Sequence, residues 1–301
     1  MAERKCGVIR KMSKMSVRTL WARQFPFFLS VPGLIWQVLF FFIPVLLVIG
    51  MSIAQVSGYG LTLEHYRTVF SITYISVILR SLVIAFITAL LCLILAYPVC
   101  YYLAVHVRRA KNALLFFLIL PFWTSALVQI YAWFFVLERH GLINTLLQRM
   151  HLIEQPIGLL NTQFAVYLVM IYCYLPFMIM PLYAQIEKLD RRLIEASADL
   201  GASSWQTFVR ITLPLSLPGI QTGFFLVFVP SFGEVAIPSL VSGGKELFVG
   251  SLISQFFMTT DQSQLGAAFT VLSCIALVIA VALFYAYFAW LVKRPRSTIH
   301  E

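Results

Sequence analysis

Long apolar stretches alternate along the chain with short polar segments, and that alternation predicts the architecture. No charged residue occurs between Gln24 and Leu63. About twenty apolar residues in helical conformation cross the hydrocarbon of a bilayer, and six stretches meet that length. They are expected at about 27–51, 77–105, 114–137 and 164–184, from Leu215 onward, and at 265–292. Prolines lie inside several of them: Pro32 and Pro44 in the first, Pro176 and Pro181 expected to break the fourth. The fifth is apolar to Val229 and then meets Pro230-Ser231-Phe232-Gly233-Glu234 and Pro238. Membrane helices tolerate proline because neighbouring groups satisfy the freed carbonyls. A longer polar segment at 138–162, containing Gly141-Leu142-Ile143-Asn144, predicts a short amphipathic helix. The chain thus divides into a basic tail (1–26), a membrane domain (27–292) and a short tail (293–301).

Composition supports this reading. The chain is 60% hydrophobic and 11% charged, whereas soluble domains carry roughly a quarter charged residues. The net charge of +10 follows the topology: basic residues concentrate in cytoplasmic loops. With the N-terminus inside, the inside segments hold 7, 3, 4 and 3 Lys/Arg and the outside segments 1, 2 and 1, with Arg80 at the edge of the second span. The expectation is an all-α integral membrane protein of six helices with both termini cytoplasmic. No interleaving of aromatic and basic residues suggests nucleic acid. The five cysteines, Cys6, Cys92, Cys100, Cys173 and Cys274, have neither disulfide nor zinc spacing. The first apolar block is too long for a signal peptide core and reads as a retained span. Gly243-Gly244-Lys245-Glu246 is a turn and not a phosphate-binding loop. No nucleophile–base set or metal cluster is legible, so catalysis and a resident cofactor are not expected.

One polar island, 185–214, interrupts the apolar pattern between the fourth and fifth spans. Asp190 is placed to cap a helix over Arg191 to Leu200, with Leu193, Ile194, Ala196 and Leu200 against Arg192, Glu195 and Asp199. Gly201 fits the left-handed residue that ends a helix. Ser203 and Gln206 have the spacing of a capping box, and Pro214 marks the expected boundary before the fifth span. The loop reads as helix, glycine turn, helix, membrane, and Ala196, Ser197 and Ala198 offer a surface that another protein can approach closely. A helix pair lying on lipid headgroups fits the same pattern.

The spacing Glu195-Ala196-Ser197-x3-Gly201-x9-Ile211-x-Leu213-Pro214 resembles the signature of permease subunits of binding-protein-dependent ATP-binding-cassette importers. Ser197 stands where that family usually has Ala. The resemblance implies a type I importer permease fold in a bacterial inner membrane. It implies a coupling loop that docks on a dimer of cytoplasmic ATPase subunits, with Glu195 facing a basic residue of the ATPase. ATP and Mg would be bound by that ATPase. A second permease subunit, more readily a paralogue than a copy, and an external substrate-binding protein are the other implied partners. The likeness extends from the first span to the sixth and is closest to the spermidine/putrescine permeases. It is carried by Pro121-Phe122-Trp123-Thr124-Ser125, Gly141-Leu142-Ile143-Asn144, Leu175-Pro176-Phe177-Met178 and Pro230-x-x-Gly233-Glu234. Gln129 stands where an Arg is common, and Thr259 to Gly266 lacks an expected Trp-Pro pair. Iron(III), thiamine, sulfate or an aminophosphonate are alternative cargoes within the class, and a secondary transporter is the alternative outside it.

For the passage itself, Glu234 is the one acidic residue inside a predicted span. At ~1.5 Å per residue it sits roughly 27 Å from the start of the fifth span. A carboxylate there can receive an ammonium group or cap a helix end. Trp123, Tyr131, Trp133 and Tyr174 can offer cation–π faces to a polyamine, and equally fit an interfacial aromatic belt or packing.

Overall fold

The computed structural model describes residues 31–55, 60–107, 109–244, 247–260 and 262–293. The basic tail, the start of the first span, Arg108, Lys245, Asp261 and the residues from 294 onward lie outside the described residues.

The apolar first span forms α1 (Val31–Ile53), with one π-turn at Val38–Phe42. A short helix, α2 (Glu64–Val69), leads to the long α3 (Ile72–Val105), which begins five residues before the expected start. Next come α4 (Lys111–Ile119), α5 (Ala126–Leu137) and the amphipathic α6 (Leu142–Arg149). The fourth span, Gln163–Ile186, lies in α7 (Gln163–Glu187), and the island contains α8 (Arg191–Asp199) and α9 (Ser204–Thr207). A π-turn at Phe208–Thr212 joins α9 to α10 (Leu213–Phe232). Two short helices, α11 (Ala236–Val241) and α12 (Val249–Met258), precede the last span, α13 (Ser263–Lys293). Among the described residues the β-structure is a single bridge between Ala54 and Leu61.

Among the described residues five helical runs are long and apolar enough to cross a membrane, and a sixth crossing results if the bent pair in the third stretch is one span. That stretch departs from expectation. Instead of a continuous helix over 114–137, α4 tightens into a 3-10 turn at Leu120–Trp123, stops at Thr124–Ser125 and restarts 91° away as α5. Pro121 opens the 3-10 turn, and Thr124 adopts an extended backbone. The fourth span departs the other way: Pro176 and Pro181 lie inside α7 without breaking it.

The core is a packed trio of α3, α7 and α10. The contact between α7 and α10 depends on Gly219 and Gly223, spaced as in the small-residue motif that lets membrane helices approach closely. A Cβ at Gly219 would lie 2.5 Å from Gln185 Cβ and 3.0 Å from the Pro181 carbonyl oxygen. One at Gly223 would lie 2.7 Å from Met178 Sδ. Beside this seam Phe86, Phe224, Phe228 and Phe284 stack and edge-pack, joining α3, α10 and α13. By contrast α1 packs along α13 and exposes apolar side chains on its other faces.

Leucine at Gly219 or Gly223 is therefore expected to separate α7 from α10. Overpacking of this kind costs about 1–3 kcal/mol, so the melting temperature in detergent should fall. Gly233→Ala, where no atom lies within 4 Å of the added Cβ, should leave it unchanged.

Candidate functional site

Two sites emerge: the island, and the turn that holds Glu234. In the island Asp190 caps α8 as expected, its Oδ1 accepting the Arg192 amide at 3.0 Å. Gly201 takes φ +79°, the left-handed conformation in which a side chain is strained. The Ser203–Gln206 capping box is complete: Gln206 Oε1 accepts the Ser203 amide at 3.0 Å and Ser203 Oγ the Gln206 amide at 3.3 Å.

Two expectations about the island require correction. Pro214 does not mark a boundary. The helix runs unbroken from Ser204 to Phe232, so the second arm of the loop is the first part of the fifth span. Nor does Ser197 belong to an outward surface. It is 6% exposed, and its hydroxyl donates to the Ile194 carbonyl at 2.7 Å and lies 2.8 Å from Thr207 Oγ1. This bridge fastens α8 to α9. The partner, Thr207, is not marked by any spacing in the sequence. Its role needs the turn at Gly201, which folds the two arms together. Glu195 and Ala196 are exposed. The island also exposes large apolar side chains: Leu200 at 88%, Trp205 at 71% and Leu193 at 46%. Ile211, Leu213 and Pro214 are half-buried in the helix instead.

At the root of the island Lys111 Nζ meets Glu187 Oε1 at 2.5 Å, tying the start of α4 to the end of α7. The hydrogen bond from Lys111 holds the Glu187 carboxyl below its ordinary value.

The second site lies just beyond α10. Gly233 ends that helix, and Glu234 occupies the turn before α11. Its Oε1 accepts the Ala236 and Ile237 amides at 3.0 and 3.4 Å, capping α11. Its Oε2 accepts the Tyr174 hydroxyl at 2.5 Å. The structure thus joins two candidates, Tyr174 of α7 and Glu234, through one hydrogen bond, and the carboxylate has three neutral donors in all. The other aromatics lie apart from this pair. Trp133 packs edge-on against Tyr172 and lines a cavity of about 300 Å³ with Thr124, Val128 and Gln129. Trp123 is exposed and packs edge-on against Phe116. Tyr131 is half exposed.

Gln129 has a role that its sequence position does not reveal. Its Nε2 donates to the Pro121 carbonyl at 2.5 Å and to Thr124 Oγ1 at 2.9 Å, serving carbonyl and hydroxyl groups at the break in the third span. Asn144, fully buried at the start of α6, similarly bonds the Glu138 carbonyl and both polar backbone groups of Ile157. A lone amide near a proline or glycine in an apolar run was the available signal for both.

Residues 96–296 match the family described as "Binding-protein-dependent transport system inner membrane component". The chain belongs to that family. It is a component of a transport system and a multi-pass inner membrane protein. It is 41% identical over 238 residues to the "Spermidine/putrescine transport system permease protein PotB" of Escherichia coli (strain K12), a match covering 77% of this chain and 86% of that one. It is 36% identical over 255 residues to the protein of the same name from Haemophilus influenzae (strain ATCC 51907 / DSM 11121 / KW20 / Rd), covering 83% and 89%. Among solved structures, a chain of a bacterial alginate ABC transporter, crystallised in complex with an alginate pentasaccharide-bound periplasmic protein, superposes with a TM-score of 0.70. That superposition covers 91% of this chain and 98% of the other at 18% identity, and shows a shared fold.

Two measurements check the island. Ser197→Ala removes a buried hydrogen bond, a change of about 1 kcal/mol, and should lower the melting temperature while leaving α8 helical. Glu187 has a depressed value in the fold, so its bond to Lys111 contributes fully above the ordinary value of 4.5 and is lost as pH falls through the lower folded value. Acidification from neutral pH should therefore narrow the gap in melting temperature between the wild type and Glu187→Gln.

Proposed function

We propose that this chain is one of two membrane-spanning permease subunits of a polyamine importer, and that the island is its docking surface for a separate ATPase. The observation that carries the coupling role is the build of the island. A capped helix, a left-handed glycine and a buried hydroxyl bridge make a rigid loop continuous with the fifth span, and that loop exposes Leu193, Leu200 and Trp205. Exposed apolar side chains grouped on a charged loop mark a protein-binding surface. Glu195 lies on the same helix and pairs with a basic residue of the ATPase. ATP and Mg belong to that subunit. A second permease, a paralogue, covers apolar faces left open here, and a periplasmic binding protein delivers cargo at the end of the bundle away from the island. Both termini lie in the cytoplasm with the island. ATP closes the ATPase pair, the loop carries that closure into the span, and hydrolysis resets the passage.

The cargo reading rests on the printed names of the relatives and on Glu234. Its carboxylate is oriented by Tyr174 and by the amides of α11, all neutral donors. An acidic side chain held in this turn can attract an ammonium group. Trp133 and the exposed Trp123 and Tyr131 offer further faces to a cation.

In proteoliposomes of the assembled transporter, Glu195→Lys or Gly201→Val should abolish stimulation of ATP hydrolysis by the loaded binding protein. Unchanged stimulation would refute docking through the island. Glu234→Gln keeps an oxygen for the amides of α11 but removes the charge and the oxygen that accepts from Tyr174. Uptake of radiolabelled putrescine should fall roughly tenfold, equivalent to about 1.4 kcal/mol, while the assembled transporter is still recovered. Uptake at the wild-type rate would remove Glu234 from the path.

A further inference from the structure

The half-buried residues Ile211, Leu213 and Pro214 are part of the motif but not of the exposed loop surface. They sit in and directly after the π-turn at Phe208–Thr212. A π-turn holds one more residue per turn than an α-helix and is uncommon except at functional sites. Here it separates the loop, fastened to α9, from α10, which is packed in the core.

The turn has a visible cost and two visible causes. The Leu213 amide bonds the Phe208 carbonyl, five residues back. Thr212 Oγ1, on a residue 1% exposed, has no hydrogen-bond partner. In a regular helix the Phe208 carbonyl, four residues before Thr212, is the acceptor a threonine hydroxyl ordinarily uses. The regular helix is thus locally the better-bonded state, and something must oppose it. Pro214 is one cause: it has no amide for the Arg210 carbonyl, and its ring clashes with that carbonyl in α geometry. The first span repeats the arrangement, with a π-turn at Val38–Phe42 and Pro44 two residues after its end. Proline alone is not enough, since Pro98, Pro176 and Pro181 lie in helices without such a turn. The second cause is Phe208. Its ring stacks on Trp205 at 5.4 Å and meets the edges of Tyr97 and Tyr101 of α3 at 5.4 and 6.4 Å. Tyr97 also reaches across the turn, its hydroxyl 3.0 Å from Ser216 Oγ.

We propose that Pro214 and Phe208 are positioning residues for coupling: together they hold the π-turn, and the π-turn sets the angle at which the loop is presented to the ATPase. The inference rests on the docking role given to the island above. Loss of the extra residue turns the loop by about 100° and shifts it by ~1.5 Å relative to the fifth span. Leu193, Leu200 and Trp205 then face a different direction while every span keeps its place.

The test uses the complete transporter with spin labels at Arg192→Cys and Leu226→Cys, and with Cys6, Cys173 and Cys274 replaced by Ala. Pulsed electron–electron distances are read alongside putrescine imported per ATP hydrolysed. Pro214→Ala should shift the label distance by several ångströms and lower import per ATP roughly fivefold or more, the low end of ordinary coupling between sites. An unchanged distance overturns the proposal, as does a shifted distance with import per ATP preserved. If Pro214→Ala does not assemble, Phe208→Leu and Phe208→Tyr decide: Leu must shift the distance, and Tyr, which keeps the ring, must not. A wild-type preparation that binds no ATPase would instead overturn the docking role, and with it this use of the turn.

Discussion

A backbone carbonyl that loses its amide partner inside an apolar bundle must find another donor, because no water is there to supply one. Much of this structure answers that constraint. The chain carries thirteen prolines, and one placed beyond the first turn of a helix leaves the carbonyl four residues before it without its amide. At the break in the third span the donor is local: Gln129 bonds the Pro121 carbonyl and Thr124 Oγ1. Gln185, from a neighbouring helix, bonds the Leu215 carbonyl. At the end of α10 Glu234 meets the mirror problem, accepting amides that start α11. Gln129 and Glu234 thus stand where the backbone is irregular, and irregular backbone is where a passage can have polar walls.

The same constraint explains how a loop can be both part of a span and a separate surface. Continuity from Ser204 to Phe232 makes the second arm of the island an extension of the packed core, anchored through Gly219 and Gly223 to α7. The first arm is held to it by Gly201 and by the Ser197–Thr207 bridge. A push on Leu200 or Trp205 therefore reaches the seam between α7 and α10 through bonded and packed groups, with the π-turn as the one irregular point on the way.

Much of this was legible in the chain as written. Apolar length marked the spans, Asp190, Gly201 and the Ser203–Gln206 box marked the ends of the island helices, and the motif spacing identified the family. These signals are local: a cap, a left-handed glycine and a hydrophobic run each act within a few residues. The failures are of another kind. Pro121, Pro176 and Pro214 look alike in sequence, yet one starts a 91° break, one lies within an intact helix and one follows a π-turn. What separates them is the set of donors and rings that other helices bring, such as Gln129 at the first and Tyr97 and Tyr101 near the third.

Sequence by itself determined that the chain crosses a membrane repeatedly, that 185–214 is a capped, glycine-jointed loop, and that this loop carries an importer motif, because each follows from residue type at fixed short spacing. Only the tertiary structure decided that Ser197 faces inward, that Tyr174 and not Trp123 meets Glu234, and that the motif divides into an exposed half and a half buried in the fifth span. Those outcomes depend on which side chains residues dozens apart present to one another, and a helix face chooses its neighbour only when the helices pack.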